Sequence, residues 1–194
     1  MTCANVAAGG HLEVLQWPQA HDCPWDVETC AHAAEYGHLE VMKWVRKQGG
    51  EWCEETCACA AVGGHLTVLQ WAREHGCDWN EDTCRAAAYG GHLQVLQWAR
   101  EQGCDWGAMT CTNAAANGHL EVLRWARAHD CPWDGQMCAF AAEGGHLEVL
   151  KWAVEHGCPW NVNQCIQAAD ANGQVHVAQW MEAHLTGVVT TANP

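Results

Sequence analysis

The 194-residue sequence has very few of the aromatic residues that usually fill a core, with one phenylalanine and two tyrosines. It is also short of positive charge. Lys and Arg number 9 against 23 Asp and Glu, a formal net charge of −14. Such a surface repels phosphate backbones, whose contacts dominate nucleic-acid affinity. Nucleic acid is therefore excluded as a partner, and a protein with a basic surface is favoured. No apolar run reaches the roughly 18 residues that a membrane span needs. The opening MTCANVAAGGHLEVLQW has neither the basic start nor the apolar core of a signal peptide. The expectation is an intracellular protein in a reducing compartment, cytoplasmic or nuclear. No phosphate loop, nucleophile elbow or paired-carboxylate cleft is present, so the chain is read as a non-enzyme without a cofactor.

What the sequence does have is a period. A histidine recurs at His11, His38, His65, His92, His119 and His146, each 27 residues after the last. A tryptophan follows in register at Trp17, Trp44, Trp71, Trp98, Trp125 and Trp152, and a second at Trp25, Trp52, Trp79, Trp106, Trp133 and Trp160. Upstream of each histidine lies Cys-x-x-Ala-Ala, led by Cys3, Cys30, Cys57, Cys84, Cys111, Cys138 and Cys165. A fixed period in this range is the signature of a repeat array. Seven repeats are expected within residues 1–185, at about 2–28, 29–55, 56–82, 83–109, 110–136, 137–163 and 164–185. Residues 186–194 are expected to be an unstructured tail. The seventh repeat carries one extra residue near Asn172.

Each repeat reads as two short helices. In the second, Asp26 is a good N-cap and Gly37 a good stop for a first helix. Cys30, Ala33 and Ala34 share one face of that helix, and their small side chains let its backbone approach neighbours closely. His32, Glu35 and Tyr36 point the other way. The second helix runs from Leu39 to about Gln48, with a wide apolar stripe of Leu39, Val41, Met42, Trp44 and Val45 that implies burial on two sides. Gly76, Gly103 and Gly157 end this helix in other repeats, and Asp22 and Asp130 replace that glycine in two. The two tryptophan ladders are expected to be the main apolar mass, worth up to about 4–6 kcal/mol gross per ring if fully buried.

Fourteen cysteines invite a disulfide reading, but the spacing speaks against it. Equivalent residues in stacked helical repeats sit about 8–10 Å apart, beyond the roughly 7 Å between Cα atoms that a disulfide tolerates. The cysteines read as buried small hydrophobes in a reducing compartment.

The segment Ala141-Ala142-Glu143-Gly144-Gly145-His146-Leu147-Glu148-Val149-Leu150, with its ending His156-Gly157-Cys158-Pro159-Trp160-Asn161, resembles the ankyrin repeat. The resemblance recurs in register over residues 2–184. It implies an all-α α-solenoid of stacked helix-turn-helix repeats that binds other proteins. Two departures stand out. This repeat has 27 residues against about 33 in the family, which leaves no room for the family's projecting β-hairpin finger. The family's Thr-Pro-Leu-His is replaced by Thr-Cys, as at Thr56-Cys57.

By the same resemblance, the two positions after Ala-Ala and the loops between repeats form the recognition surface. The helical wheel also puts those positions opposite the core. They include Glu35, Tyr36, Val62, Tyr89, Asn117 and Glu143, and they vary between repeats while the core does not. Both tyrosines of the chain fall here, and tyrosine is enriched at binding hot spots. Arg85 and Phe140 extend the face, and the loop carboxylates Glu54, Glu55, Glu81 and Asp82 adjoin it. The expected function is a monomeric protein-binding scaffold. The alternative is a zinc or copper protein, suggested by His-x-Cys at His21/Cys23, His75/Cys77, His129/Cys131 and His156/Cys158 and by the cluster Cys53, Cys57 and Cys59. One repeat offers too few ligands for tetrahedral zinc. The His of Gly-His is read as a polar link at the start of the second helix. Gln167, Asp170, Gln174, His176, Gln179 and Glu182 make the last repeat a polar cap. The first helix begins with no upstream cap, as in a frayed end or a longer array.

Overall fold

A computed structural model describes residues 3–16, 27–52 and 54–185, with Val27 and Glu54 described by their backbone alone. Among the described residues there are fourteen helices and no strand. They alternate as first and second helices of each repeat: α1 (Cys3–Ala8) and α2 (Leu12–Leu15), α3 (Val27–Glu35) and α4 (Leu39–Lys47), α5 (Glu54–Val62) and α6 (Leu66–Glu74), α7 (Glu81–Tyr89) and α8 (Leu93–Glu101), α9 (Ala108–Ala116) and α10 (Leu120–Ala128), α11 (Gln136–Glu143) and α12 (Leu147–Glu155), α13 (Val162–Ala171) and α14 (Val175–Leu185). The extra residue of the seventh repeat is absorbed at the end of α13, which has 10 residues, with Asn172 as its C-cap. The tail from residue 186 onward lies outside the described residues, as do Asp26, Trp17 and Trp25. No described helix is long and apolar enough to cross a membrane.

The reason for the helix boundaries is the same in every repeat. The N–H of Gly37 bonds the carbonyl of Ala34, and the N–H of His38 reaches back to Ala33 at 2.8 Å. This closes α3 with a Schellman turn, in which Gly37 takes the left-handed conformation at φ 78°. The Ala-Ala-x-x-Gly-His signature is therefore the sequence of a helix stop. Second helices end in the same way. Gly76 bonds Arg73, and the N–H of Cys77 bonds the carbonyl of Ala72 at 3.0 Å. Asp130 takes the glycine position in its repeat at φ 63°, the one non-glycine residue with positive φ among those described. At helix starts, Asn80 accepts from the N–H of Asp82 at 2.8 Å, Asp134 from Gln136 at 3.0 Å and Asn161 from Gln164 at 3.1 Å. Asn80 follows Trp79 directly, with no strand between the tryptophan and α7.

The chain divides into two compact halves, Met1–Trp106 and Gly107–Pro194. In the first, α1 packs on α3, α3 on α5 and α5 on α7, and each second helix packs on its own first helix. In the second, α9 packs on α11 and α11 on α13, again with second helices alongside. The close row is the row of first helices, because cysteine and alanine face one another there. Cys57, Ala60, Ala61, Cys84, Ala87 and Ala88 are all fully buried. A Cβ placed on Gly90 would lie 2.5 Å from the carbonyl oxygen of Val62. Second helices contribute Val68 and Leu69, Val95 and Leu96, Val122 and Leu123, and Val149 and Leu150 to the same core.

Tryptophan is not the core, contrary to expectation. Every described tryptophan is half-buried. The rings form a seam at the edge, where the second tryptophan of one repeat meets the first of the next edge to face: Trp52 with Trp71 at 5.5 Å, Trp79 with Trp98 at 5.7 Å and Trp133 with Trp152 at 5.8 Å. An arginine lies over the outer ring, Arg73 over Trp79 at 4.3 Å and Arg127 over Trp133 at 4.1 Å. With Cys-Ala helices in close contact, there is no interior space for an indole. The ring stays at the rim, where its apolar body is shielded and its edge is wet.

Candidate functional site

The repeat histidines described in the first half are structural links. The Nε2–H of His38 donates to the carbonyl of Ala8, and that of His92 to Val62, both at 2.9 Å. Each ring thus reaches the end of the preceding repeat's first helix. In the second half, a Cβ on Gly118 would fall 2.5 Å from Nδ1 of His146, so that ring also lies against the glycine one repeat earlier. The seventh repeat has Gln174 at this position. There His176 donates to Gly145 at 3.1 Å instead.

The first-helix face opposite the core carries most of the residues expected at a recognition surface. Tyr36 and Tyr89 are each 53% exposed and Phe140 40%. Arg85, Glu55, Glu81 and Glu143 are exposed, while Glu35, Val62, Asp82 and Asn117 are half-buried. The side chain of Glu54 lies outside what is described. In the first half, Glu55, Val62, Asp82 and Arg85 come together around one open cleft of about 360 Å³ between α5 and α7, with Cys59 and Asn80 also lining it. Arg85 pairs with Asp82 at 2.7 Å. Asn117 is less available, because its amide donates to the carbonyl of Asn113 at 2.9 Å. Phe140 and Glu143 belong to the second half. Gly63, Gly90 and Gly144, which occupy the same variable position as Tyr36, are set by packing: a Cβ at any of them would meet a carbonyl of the preceding first helix.

The His-x-Cys motifs do not converge. The Nδ1–H of His75 donates to Trp71 at 2.8 Å and its ring stacks on that indole at 4.4 Å, in an exposed position. Cys77 is fully buried on the other side of the turn. His129 and His156 repeat this arrangement on Trp125 and Trp152. Cys57 faces the core while Cys59 lines the cleft, and Cys53, His21 and Cys23 lie outside the described residues. Among the described residues no group of three or more His, Cys, Asp and Glu could hold a metal ion.

One cluster was missed by the sequence reading. In four described repeats the first-helix cysteine meets the cysteine 20 residues later. The thiol of Cys57 donates to the sulfur of Cys77 at 3.3 Å. Cys84 lies against the carbonyl of Cys104 and Cys111 against that of Cys131, and Cys138 bonds the thiol of Cys158. The later thiol donates onward to the preceding repeat, Cys104 to Asn80 at 3.2 Å, Cys131 to Gly107 at 3.5 Å and Cys158 to Asp134 at 3.4 Å. Hydrogen bonding from the first-helix thiol holds Cys77, Cys104 and Cys158 below the usual thiol range, helped at Cys77 and Cys104 by the adjacent arginine. The same bond, together with burial, pushes Cys57, Cys111 and Cys138 up. Burial, and then the charge of Cys158, pushes Cys165 up to about 11. The expectation of no disulfide fails at Cys3, which is disulfide-bonded. Comparing only like cysteines at the 27-residue period hid the shorter offset, although it was visible in the sequence at 3/23, 57/77, 84/104, 111/131 and 138/158.

No protein-family model matches the chain, and no curated protein matches it either.

Proposed function

We propose that the chain is an α-solenoid of seven finger-less, ankyrin-like repeats that acts as a protein-binding scaffold. The supporting observation is the contrast between the two sides of the first helices. One side is closed by cysteine and alanine. The other displays Tyr36 and Tyr89 to solvent and carries the cleft of Glu55, Val62, Asp82 and Arg85. Large rigid aromatics beside charged groups suit hot-spot binding, and an acidic chain with a formal charge of −14 suits a basic partner surface. On this reading the protein works as a monomer inside the cell, with no chemistry and no cofactor of its own.

The test is a quantitative pull-down under reducing conditions with three chains of equal helicity. These are the wild type, a Tyr36→Ala/Tyr89→Ala/Arg85→Ala variant of the first-helix face, and a Lys43→Ala/Glu121→Ala variant of the exposed second-helix strip. A partner held by the wild type and the strip variant but lost by the face variant supports the scaffold and its surface. A partner lost only by the strip variant moves the surface to the other side. A failure of all three to retain any protein removes the scaffold reading.

A further inference from the structure

The four described cysteine pairs are more than small core residues. A core position that needs only volume is filled as well by alanine or valine, and one repeat does this. In the repeat 29–55, Gly50 stands 20 residues after Cys30 and Val45 stands where the other repeats have Ala72, Ala99, Ala126 and Ala153. A Cβ on Gly50 would fall 2.4 Å from Cγ1 of Val45, so valine occupies the volume that the second cysteine takes elsewhere. The apolar solution is thus available to this fold, and four described repeats carry a dithiol instead.

The geometry of the pair follows from the helix stop. The N–H of Cys77 closes the Schellman turn on Ala72, which turns the cysteine side chain inward over the end of α6. There it meets Cys57 on α5 of the same repeat. Sulfur atoms at 3.3 Å are about 1.3 Å from disulfide bonding distance, a gap that a small rotation of side chains closes. The same register recurs at Cys84/Cys104, Cys111/Cys131 and Cys138/Cys158. Cys3, in the same position of the first repeat, is already in a disulfide.

We propose that these pairs are intra-repeat dithiol–disulfide sites, oxidised by hydroperoxides. With hydrogen peroxide, the later cysteine attacks as a thiolate. Its sulfur takes one oxygen, the O–O bond breaks, and the departing hydroxide takes up the proton that the thiol released and leaves as water. The first-helix cysteine then attacks that sulfenic sulfur. The S–S bond forms, the S–O bond breaks, and the released hydroxide takes the proton of the first-helix thiol to leave as a second water. Two thiols and one peroxide become one disulfide and two waters, with the two electrons passing from sulfur to oxygen. The division of labour fits the acidities where Cys77, Cys104 and Cys158 are held below the usual thiol range, which makes each the better first nucleophile. Cys158 is 3% exposed and Cys104 1%, so the small oxidant enters through local opening at the repeat boundary. Each bond staples a first helix to the loop that leaves its second helix. This inference does not rest on the scaffold reading.

The experiment uses the full chain, reduced, freed of reductant and then exposed while folded to a few equivalents of hydrogen peroxide. Cysteines are alkylated and disulfide-linked peptides mapped by mass spectrometry. The expected result is linkage of Cys57 to Cys77, Cys84 to Cys104, Cys111 to Cys131 and Cys138 to Cys158, reversible by dithiothreitol and accompanied by a higher urea midpoint. Scrambled linkages in the folded chain, single cysteines carried to sulfinic acid, links between chains, or thiols that stay unreacted would each overturn it. Two variants sharpen the test. Cys77→Ala removes one link and leaves the other three. Val45→Ala/Gly50→Cys installs a pair with Cys30 and is expected to yield one additional link. Absence of that link in a folded double variant would show that the register alone does not make a site.

Discussion

The repeats 29–55 and 56–82 are built on the same helices but fill one place differently. The first uses Val45 and Gly50, the second Ala72 and Cys77. In both, the residue that closes the second helix bonds back to the residue five before it, Gly50 to Val45 at 2.9 Å and Cys77 to Ala72 at 3.0 Å. The backbone is therefore indifferent to the exchange. What is conserved between the two is volume at the point where a helix stop meets the first helix. The difference teaches that this point takes either an aliphatic branch or a sulfur, and that only the sulfur brings chemistry with it.

The comparison breaks most sharply when one member of the exchange is changed alone. Val45→Ala removes two buried methyl groups and leaves a void beside Gly50, an expected loss of about 2–3 kcal/mol in urea unfolding. Gly50→Cys alone overfills the same place and is expected to cost about 1–3 kcal/mol. The reduced double variant returns to within about 1 kcal/mol of wild type, a coupling that a double-mutant cycle reads directly.

A second contrast concerns the arginine of the rim. Arg73, Arg100 and Arg127 each donate to the carbonyl of the following cysteine, Cys77, Cys104 or Cys131, and lie over the next tryptophan. The repeat 137–163 has Val154 there. Arg127→Val makes its neighbour alike and is expected to lose about 1–2 kcal/mol, from one hydrogen bond and one cation–π contact. The change should also weaken the tryptophan fluorescence signature of the folded rim.

Smaller effects are expected at the threonine that precedes the first-helix cysteine. The hydroxyls of Thr56, Thr83 and Thr110 are buried with no hydrogen-bond partner, while the repeat 137–163 has Met137 there, also fully buried. Thr83→Val is therefore expected to be neutral or to stabilise by up to about 1 kcal/mol in thermal unfolding. The smallest stability effect belongs to the exposed pair of Arg85 and Asp82, 46% exposed on each side. Arg85→Ala should change stability by less than about 0.5 kcal/mol, which makes it a clean probe of binding at the cleft.

Much of this was legible in advance. Ala33, Ala34 and Cys30 were placed on the core face by helical spacing alone, and all are fully buried. The stop at Gly37 and the link through His38 followed from the Gly-His signature. The exposed Tyr36 and Tyr89 came from the same wheel, and Phe140 was read as an extension of that face. The tryptophans were misjudged because hydrophobic spacing reports which face a residue is on and not how much room is left there. Once alanine and cysteine bring the first helices into contact, the indoles can only line the rim. The cleft between α5 and α7 was not legible as a cavity, since Glu55 and Arg85 belong to different repeats and meet only through helix packing.

The sequence by itself determined the helices, their ends and the 27-residue register, because capping, glycine stops and the 3.6-residue period are local properties of the chain. The tertiary structure decided which side chains meet. Cys57 and Cys77 are 20 residues apart and belong to different ladders. Only the angle at which one helix stop descends on the neighbouring helix brings their sulfur atoms to 3.3 Å. That angle depends on the combined volumes of residues such as Ala72 and Val45, which no single stretch of sequence states.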